Sequence, residues 1–254
     1  MKIDIKNNIQ LQKMRAAGKL AAGVLDMLTP HVQVGIYTEK LNQLAHDFII
    51  KNNAIPAPLN YRGFPKSICT SINSVVCHGI PSETDILKDG DIINIDVTVI
   101  LDGYHGDTSR MFTVGNVSPA AQALCDITHF ALMESIKAVK SGAWLSDIPK
   151  IIQNIANEKG YGVVQDYVGH GLGQNFHEMP QVPHHFPNDL PDIRLRKGMT
   201  FTIEPMINLG TWKCDPAEAD GWTVHTADRS LSAQWEHTLA VTSDGVEILT
   251  KSEL

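Results

Sequence analysis

An α+β fold of two similar halves is the architecture this sequence predicts. Two observations predict it: apolar residues recur at helical spacing and then alternate as on strands, and that order, helices before strands, occurs twice along 254 residues. From Asn8 to Leu28, Leu11, Met14, Leu20, Val24, Leu25 and Leu28 share one helical face, and Pro30 ends the run. Thr38 is placed to cap a second helix facing inward through Leu41, Leu44, Ala45, Phe48 and Ile49 and fraying at Asn52 and Asn53. A loop-rich stretch follows, and between Asp91 and Gly115 the pattern becomes a hairpin turning at Asp102-Gly103. Ser118-Pro119 opens a third helix, expected to run to about Lys140, and Ser146 caps a fourth ending near Gly160. The remainder reads as strands over 162–168, 200–209, 235–242 and 246–250. With no residue-level repeat, low-complexity segment or flexible linker, residues 1–254 are read as one domain.

Composition narrows the function classes. The chain is 43% apolar and 19% charged, enough to bury a large core. Its formal net charge of −7 and the shortness of its nearest basic cluster, Arg194 to Lys197, argue against a nucleic-acid partner. The four cysteines show no CxxC spacing, which indicates neither a disulfide framework nor a zinc knuckle and suits a reducing compartment. The N-terminal residues lack an uninterrupted apolar region, and no stretch approaches the roughly 20 apolar residues that span a bilayer; a cytoplasmic protein with no membrane partner is expected.

Five residues carry the chemistry. If Asp102 and Gly103 form the turn, Leu101 faces Tyr104 and, by the same count, Thr98 faces Asp107. Asp96 then shares a face with Asp107 as a diagonal cross-strand neighbour at roughly 7 Å, close enough for two carboxylates to hold metal between them. The bland alternative is an exposed hairpin face carrying acids. Gly169-His170-Gly171 sets an imidazole among glycines, where the backbone can bend sharply and bring it to an ion, or where a surface turn carries an incidental histidine. Glu204 ends one apolar strand and Glu236 opens another, each placed where an unpaired charge is costly to bury; a buried ion pair is the alternative for both. Together, four carboxylates and one imidazole suit a pair of divalent ions such as Mn²⁺, Fe²⁺, Co²⁺ or Zn²⁺, with positions left for water and substrate.

At these motifs the chain resembles the type I methionyl aminopeptidases, of the creatinase-like "pita-bread" fold, over nearly its whole length. The resemblance rests on residues 67–73 (SICTSIN), 76–81 (VCHGIP), 94–97 (NIDV), 103–108 (GYHGDT), 169–171 (GHG), 202–205 (TIEP) and 232–238 (SAQWEHT). It implies two similar halves around a curved, mainly antiparallel sheet covered by helices. It implies removal of the initiator methionine from nascent chains, with a small second residue favoured. It further implies that Asp96, Asp107, His170, Glu204 and Glu236 ligate two metal ions, Asp107 and Glu236 bridging them. A bridging water would attack the peptide carbonyl with Glu204 as proton acceptor, and one metal would bind the free amino group. His177 would stabilise the oxyanion and His78 would meet the leaving amide or second residue. Tyr61, Phe64, Cys69, Phe176 and Trp222 would wall the methionine pocket. The family is usually monomeric and meets its substrates at or near the ribosome.

The chain departs from the family pattern at Phe64, where tyrosine is commoner, and at Met179, where an acidic residue is commoner. The loops 181–196 and 211–222 also diverge, and His184-His185 in the first is read as solvated loop rather than as an extra metal site. A proline-directed peptidase of the same fold carries a large extra N-terminal domain, for which there is no room ahead of Tyr61. A type II enzyme needs a helical insertion where only 26 residues separate His177 from Glu204. A binding-only relative would have lost ligands that are all present here.

Overall fold

A computed structural model describes residues 3–252 except Glu218; Met1 and Lys2 of the N-terminal segment and Glu218 of the 211–222 loop therefore lie outside the described residues. The elements run α1 (Asn8–Leu28), α2 (Thr38–Lys51), β1 (Ile55–Pro56), β2 (Cys69–Ile72), β3 (Val75–Cys77), β4 (Ile92–Leu101) and β5 (Tyr104–Thr113). The second half follows with α3 (Pro119–Lys137), α4 (Asp147–Lys159), β6 (Gly162–Val163), β7 (Gly169–Gly171), β8 (Glu178–Val182), β9 (Thr200–Ile203), β10 (Met206–Asn208), β11 (Val224–His225), β12 (Ser232–Gln234), β13 (His237–Val241) and β14 (Val246–Ile248).

Helix α1 begins at a reciprocal cap: Asn7 Oδ1 accepts from the Gln10 N–H at 3.0 Å, and the Gln10 side chain accepts from the Asn7 N–H at 2.8 Å. Such a cap is worth about 1 kcal/mol. Ser118 caps α3 by accepting from the Ala121 N–H, with Pro119 at the first helical position. Two expected caps are different in the structure. The Thr38 hydroxyl is the first residue inside α2 and bonds Ser82 instead, and Ser146 gives its N–H and hydroxyl to Asp192, because each loop folds back onto its helix start. Helix α3 stops at Lys137, three residues before the expected end.

Every strand pairing is antiparallel. The β4–β5 hairpin pairs without interruption from Leu101↔Tyr104 to Ile92↔Thr113, on the turn Asp102-Gly103, whose φ values of 50° and 77° are those of a left-handed two-residue turn. On its other edge β4 meets β2 at residues 93–96 and β1 at 99–100. The expected loop-rich stretch thus contains three short strands, which are too brief to show a period. The long strands expected in the second half are broken. Gly162–Val163 is all that pairs in the first, 200–209 splits at Glu204-Pro205, and β13 starts only at His237. A five-strand order β14-β13-β9-β7-β8 and a three-strand order β12-β10-β6 result.

Each half has its own apolar core. One gathers Leu25, Leu41, Ile49, Ile93, Ile95 and Val97 under α1 and α2; the other gathers Leu124, Leu132, Ile152, Phe201, Ile203 and Leu239 under α3 and α4. A smaller cluster containing Met14, Tyr104, Leu172 and Leu249 joins them. Helix α1 lies so close to β5 that a Cβ at Gly106 would stand 2.4 Å from the backbone of Ala17 and Gly18. The halves are stitched by buried hydrogen bonds from β5 to β13 and the residue just before it: the Thr238 hydroxyl donates to the Asp107 carbonyl at 2.7 Å, and the Thr108 hydroxyl to the Glu236 carbonyl at 2.7 Å.

Candidate active site

The hairpin delivers the first two carboxylates as counted from its turn. Thr98 faces Asp107 and donates its hydroxyl to Asp107 Oδ1 at 2.7 Å, while Asp96 lies two residues along and faces Cys69 on β2. Acids on an open hairpin face would be solvated. Here Asp107 is 3% exposed, because β13 covers that face, which removes the bland alternative.

The second half brings the other three. His170 lies in β7, and its glycine neighbours serve close approach rather than a bend. Neither has positive φ, and a Cβ would stand 2.6 Å from the Thr202 carbonyl at Gly169 and 2.2 Å from the Met179 carbonyl at Gly171. His170 Nδ1 donates to the Gly171 carbonyl at 3.0 Å, which leaves the Nε2 lone pair facing Asp107 Oδ2 at 3.6 Å and Glu204 Oε1 at 3.8 Å. Glu204 stands just past β9, its carboxylate accepting from the Thr202 hydroxyl at 2.6 Å and from Gln234 Nε2 at 3.3 Å. Glu236, 2% exposed, sits in the gap between β12 and β13 with its N–H donated to the Ser109 carbonyl. Oxygens of Asp96, Asp107 and Glu236 lie within 4.8 Å of one another.

So many buried acids cannot all ionise unaided. Burial raises Asp96 to about 7 and Glu204 to about 8, and burial with mutual repulsion drives Asp107 and Glu236 well above the carboxylate range. Burial lowers His170 to about 4, so its imidazole is neutral and free to ligate. Four oxygen donors and one unprotonated nitrogen, converging with few hydrogen-bond donors among them, fit divalent cations, whose charge would offset the repulsion.

All twelve residues singled out in the sequence line one cavity of about 340 Å³. His177 stands more open than His170, with ring centroids 4.1 Å apart; partial burial and then His170 hold it neutral, and its Nδ1 lies 3.0 Å from the Tyr61 hydroxyl. His78 adopts φ 58°, a left-handed conformation that a non-glycine residue takes at a cost of order 1 kcal/mol, and its ring meets Tyr167 and Trp222 edge-on. Phe64 is buried against Trp222, and Phe176 packs on Tyr61. Asp220 accepts from the N–H groups of Trp222 and Thr223, which pins the indole over the cavity from the divergent 211–222 loop. Met179 lies in β8 beside Glu178, which is ion-paired with the buried Lys6.

Thr98, Thr202, Gln234, Cys77 and Met206 also line or brace the cavity without having been singled out. Alternation on β4 and β9 marks Thr98 and Thr202 as facing the same side as the acids, and Cys77 and Gln234 fall within the segments 76–81 and 232–238 that carry the resemblance; nothing marks Met206. One expectation is overturned. His184 is not solvated loop: it is 0% exposed, and its Nε2 accepts the Glu204 N–H at 3.1 Å, because the 181–196 loop tucks back beneath β9. Burial lowers its pKa to about 3. Its neighbour His185 is half-buried.

The same constellation occurs in known proteins. The profile of metallopeptidase family M24 matches residues 12–243. The methionine aminopeptidase of Rickettsia prowazekii is 54% identical over 252 residues, covering 99% of this chain and 96% of that protein. That of Escherichia coli K12 is 51% identical over 251 residues, covering 98% and 94%. The crystal structure of the Rickettsia prowazekii enzyme superposes with a TM-score of 0.95 over 98% of this chain and all of that one. A prolidase from Pyrococcus horikoshii OT3 shares the fold at TM-score 0.77 and 22% identity, this chain spanning 64% of its length. Among the described residues, no helix is long and apolar enough to cross a membrane. The pita-bread fold, the match along nearly the full length and the extent of identity lead to one conclusion: this chain belongs to metallopeptidase family M24, among its bacterial-type methionine aminopeptidases.

Proposed function

We propose that the protein is a metal-dependent exopeptidase that removes the N-terminal methionine from proteins and peptides whose second residue is small. One observation carries the reading: five ligand-type side chains, three buried and two half-buried, line one cavity that also holds Tyr61, Phe64, Cys69, Phe176 and Trp222. That mixture of aromatic rings and sulfur suits a flexible, polarisable thioether.

Asp96, Asp107, His170, Glu204 and Glu236 would hold two divalent ions of the Mn, Fe, Co or Zn kind. When bound, such ions would supply Lewis acidity, acidifying water and polarising a peptide carbonyl. Glu204, its carboxylate oriented by Thr202 and Gln234, is placed to take up a proton from water at the site. His177, neutral, can donate from Nε2 to the developing oxyanion when the Tyr61 hydroxyl donates to its Nδ1. His78 would hydrogen-bond the leaving amide or second residue. The apolar wall excludes water from the scissile bond and selects methionine by shape. The free thiols of Cys69, Cys77, Cys125 and Cys214 suit a reducing compartment; the action proposed is in the cytoplasm, on nascent chains near the ribosome, by one catalytic domain working as a monomer.

The test is release of methionine from Met-Ala-Ser by chelator-stripped protein titrated with Mn²⁺, Fe²⁺, Co²⁺ and Zn²⁺, with Glu204→Ala as control. Metal-dependent release by the unaltered protein only supports the reading. Tight metal binding without release under any ion rejects it and points to a proline-directed substrate.

A further inference from the structure

Glu204 has two anchors on its carboxylate, Thr202 and Gln234, and a third on its main chain. Strand β9 ends at Ile203. Its ladder with β13 closes at Ile203↔His237, and its ladder with β7 reaches only Phe201↔Gly171. The Glu204 N–H therefore lies past both ladders, and Pro205, which has no N–H, follows it. A buried amide left unpaired there would be destabilising and would be free to rotate toward another acceptor, carrying the carboxylate with it.

The acceptor present is His184 Nε2, at 3.1 Å. It comes from the segment after β8, where Val182 and His184 are both 0% exposed. A nitrogen that accepts an N–H bears no proton of its own, so the ring is in the tautomer with hydrogen on Nδ1. His184 is not among the residues lining the cavity, and the nitrogen nearest Glu204 is taken by that amide, while its Nδ1 is buried with no hydrogen-bond partner among the described residues.

We infer that His184 is a positioning residue for the reaction: by holding the Glu204 backbone where the strand breaks, it fixes where the Glu204 carboxylate stands relative to His170 and Asp107. The inference rests on the role proposed for Glu204. A displacement of the order of 1 Å at such a group is enough to cost on the order of 100-fold in rate.

The experiment compares His184→Leu, which fills the site without an acceptor, with His184→Gln, whose Oε1 reaches about as far as Nε2. Mn²⁺ affinity is read by calorimetry on chelator-stripped protein, kcat and KM on Met-Ala-Ser at saturating Mn²⁺, and Tm on the metal-free form. His184→Leu is expected to weaken Mn²⁺ binding about 10-fold and lower kcat about 10- to 100-fold with KM changed by less than about 3-fold. His184→Gln is expected to recover kcat and affinity to within about 3-fold, even where its Tm is as low as that of the leucine variant. Should His184→Leu not fold, His184→Met, which fills the same space flexibly, replaces it. Unchanged kcat and Mn²⁺ affinity in the apolar variant, or a glutamine variant as impaired as the apolar one, overturns the inference while an inactive Glu204→Gln leaves the Glu204 reading standing. An active Glu204→Gln overturns both.

Discussion

The two halves contribute to the same site by opposite means. The first offers Asp96 and Asp107 from one unbroken hairpin, where position follows from counting away from Asp102-Gly103. The second offers His170, Glu204 and Glu236 from strands that are short or interrupted, and each functional residue sits at or beside the interruption. Regular pairing places a side chain on a face at a set spacing. Broken pairing frees a carboxylate to turn toward a site that no regular strand face could reach, and the backbone groups so exposed must be satisfied by side chains such as His184 and by the Ser109 carbonyl.

If both halves are indispensable to one metal centre, the largest effect falls equally on either side. Asp96→Ala and Glu236→Ala should each abolish methionine release and lose bound metal; retention of metal by either, measured by elemental analysis after desalting, would separate the halves and break the comparison. Smaller is the effect at the cavity mouth: His177→Ala should keep its metal and slow turnover on the order of 100-fold, as for a lost oxyanion donor. Normal turnover removes that role. Replacing the tripeptide by Met-Lys-Ser should likewise reduce kcat/KM sharply, and equal cleavage would reject the preference for a small second residue.

A pH series sharpens the electrostatic side. Asp96, Asp107, Glu204 and Glu236 all have carboxyls raised by burial, with Asp96 and Glu204 at about 7 and about 8. In the metal-free protein the folded chain keeps protons that the unfolded chain has released. Stability therefore falls as pH rises through these values. Between about pH 7.5 and 9 the lowered histidines are neutral in the folded chain and almost wholly neutral in the unfolded one, so the carboxyls dominate the slope. Urea unfolding with chelator should show lower stability at the upper end, and Glu236→Gln should flatten the decline. A stability that is level or rising across that window would mean that these acids are not strained without metal.

The glycines give the smallest and most discriminating contrast. Gly103 in the first half is needed for its φ of 77°, so Gly103→Ala should cost about 1 kcal/mol. Gly171 in the second half is needed because a Cβ would stand 2.2 Å from the Met179 carbonyl, backbone that cannot easily yield, so Gly171→Ala should cost about 2–3 kcal/mol. Chemical denaturation of both variants checks the order; a reversed order would mean that β8 moves aside cheaply.

What was legible in advance follows the same division. The α1 face, the Ser118-Pro119 start and the β4–β5 register could be read because each is governed by residues near in sequence, through a period of 3.6 or 2 or a two-residue turn. Strands β1, β2 and β3 were missed since two to four residues carry no period. Glu204 and Glu236 could be suspected as charges bordering apolar strands, but their convergence with Asp96 is a contact between halves. His184 was misread for the same reason: a histidine in a polar loop looks solvated until the strand above it is known to end one residue short of Glu204.

The sequence by itself determined the helices, the hairpin and the types of chemical group, since local sterics, capping and side-chain period act within a few residues. Only the tertiary structure decided that the Asp107 face is covered by β13, that the glycines beside His170 make room for neighbouring backbone, and that His184 holds the main chain of Glu204. Burial and close approach are properties of segments far apart in the chain, and the energies that raise those carboxyls exist only once both halves have closed over them.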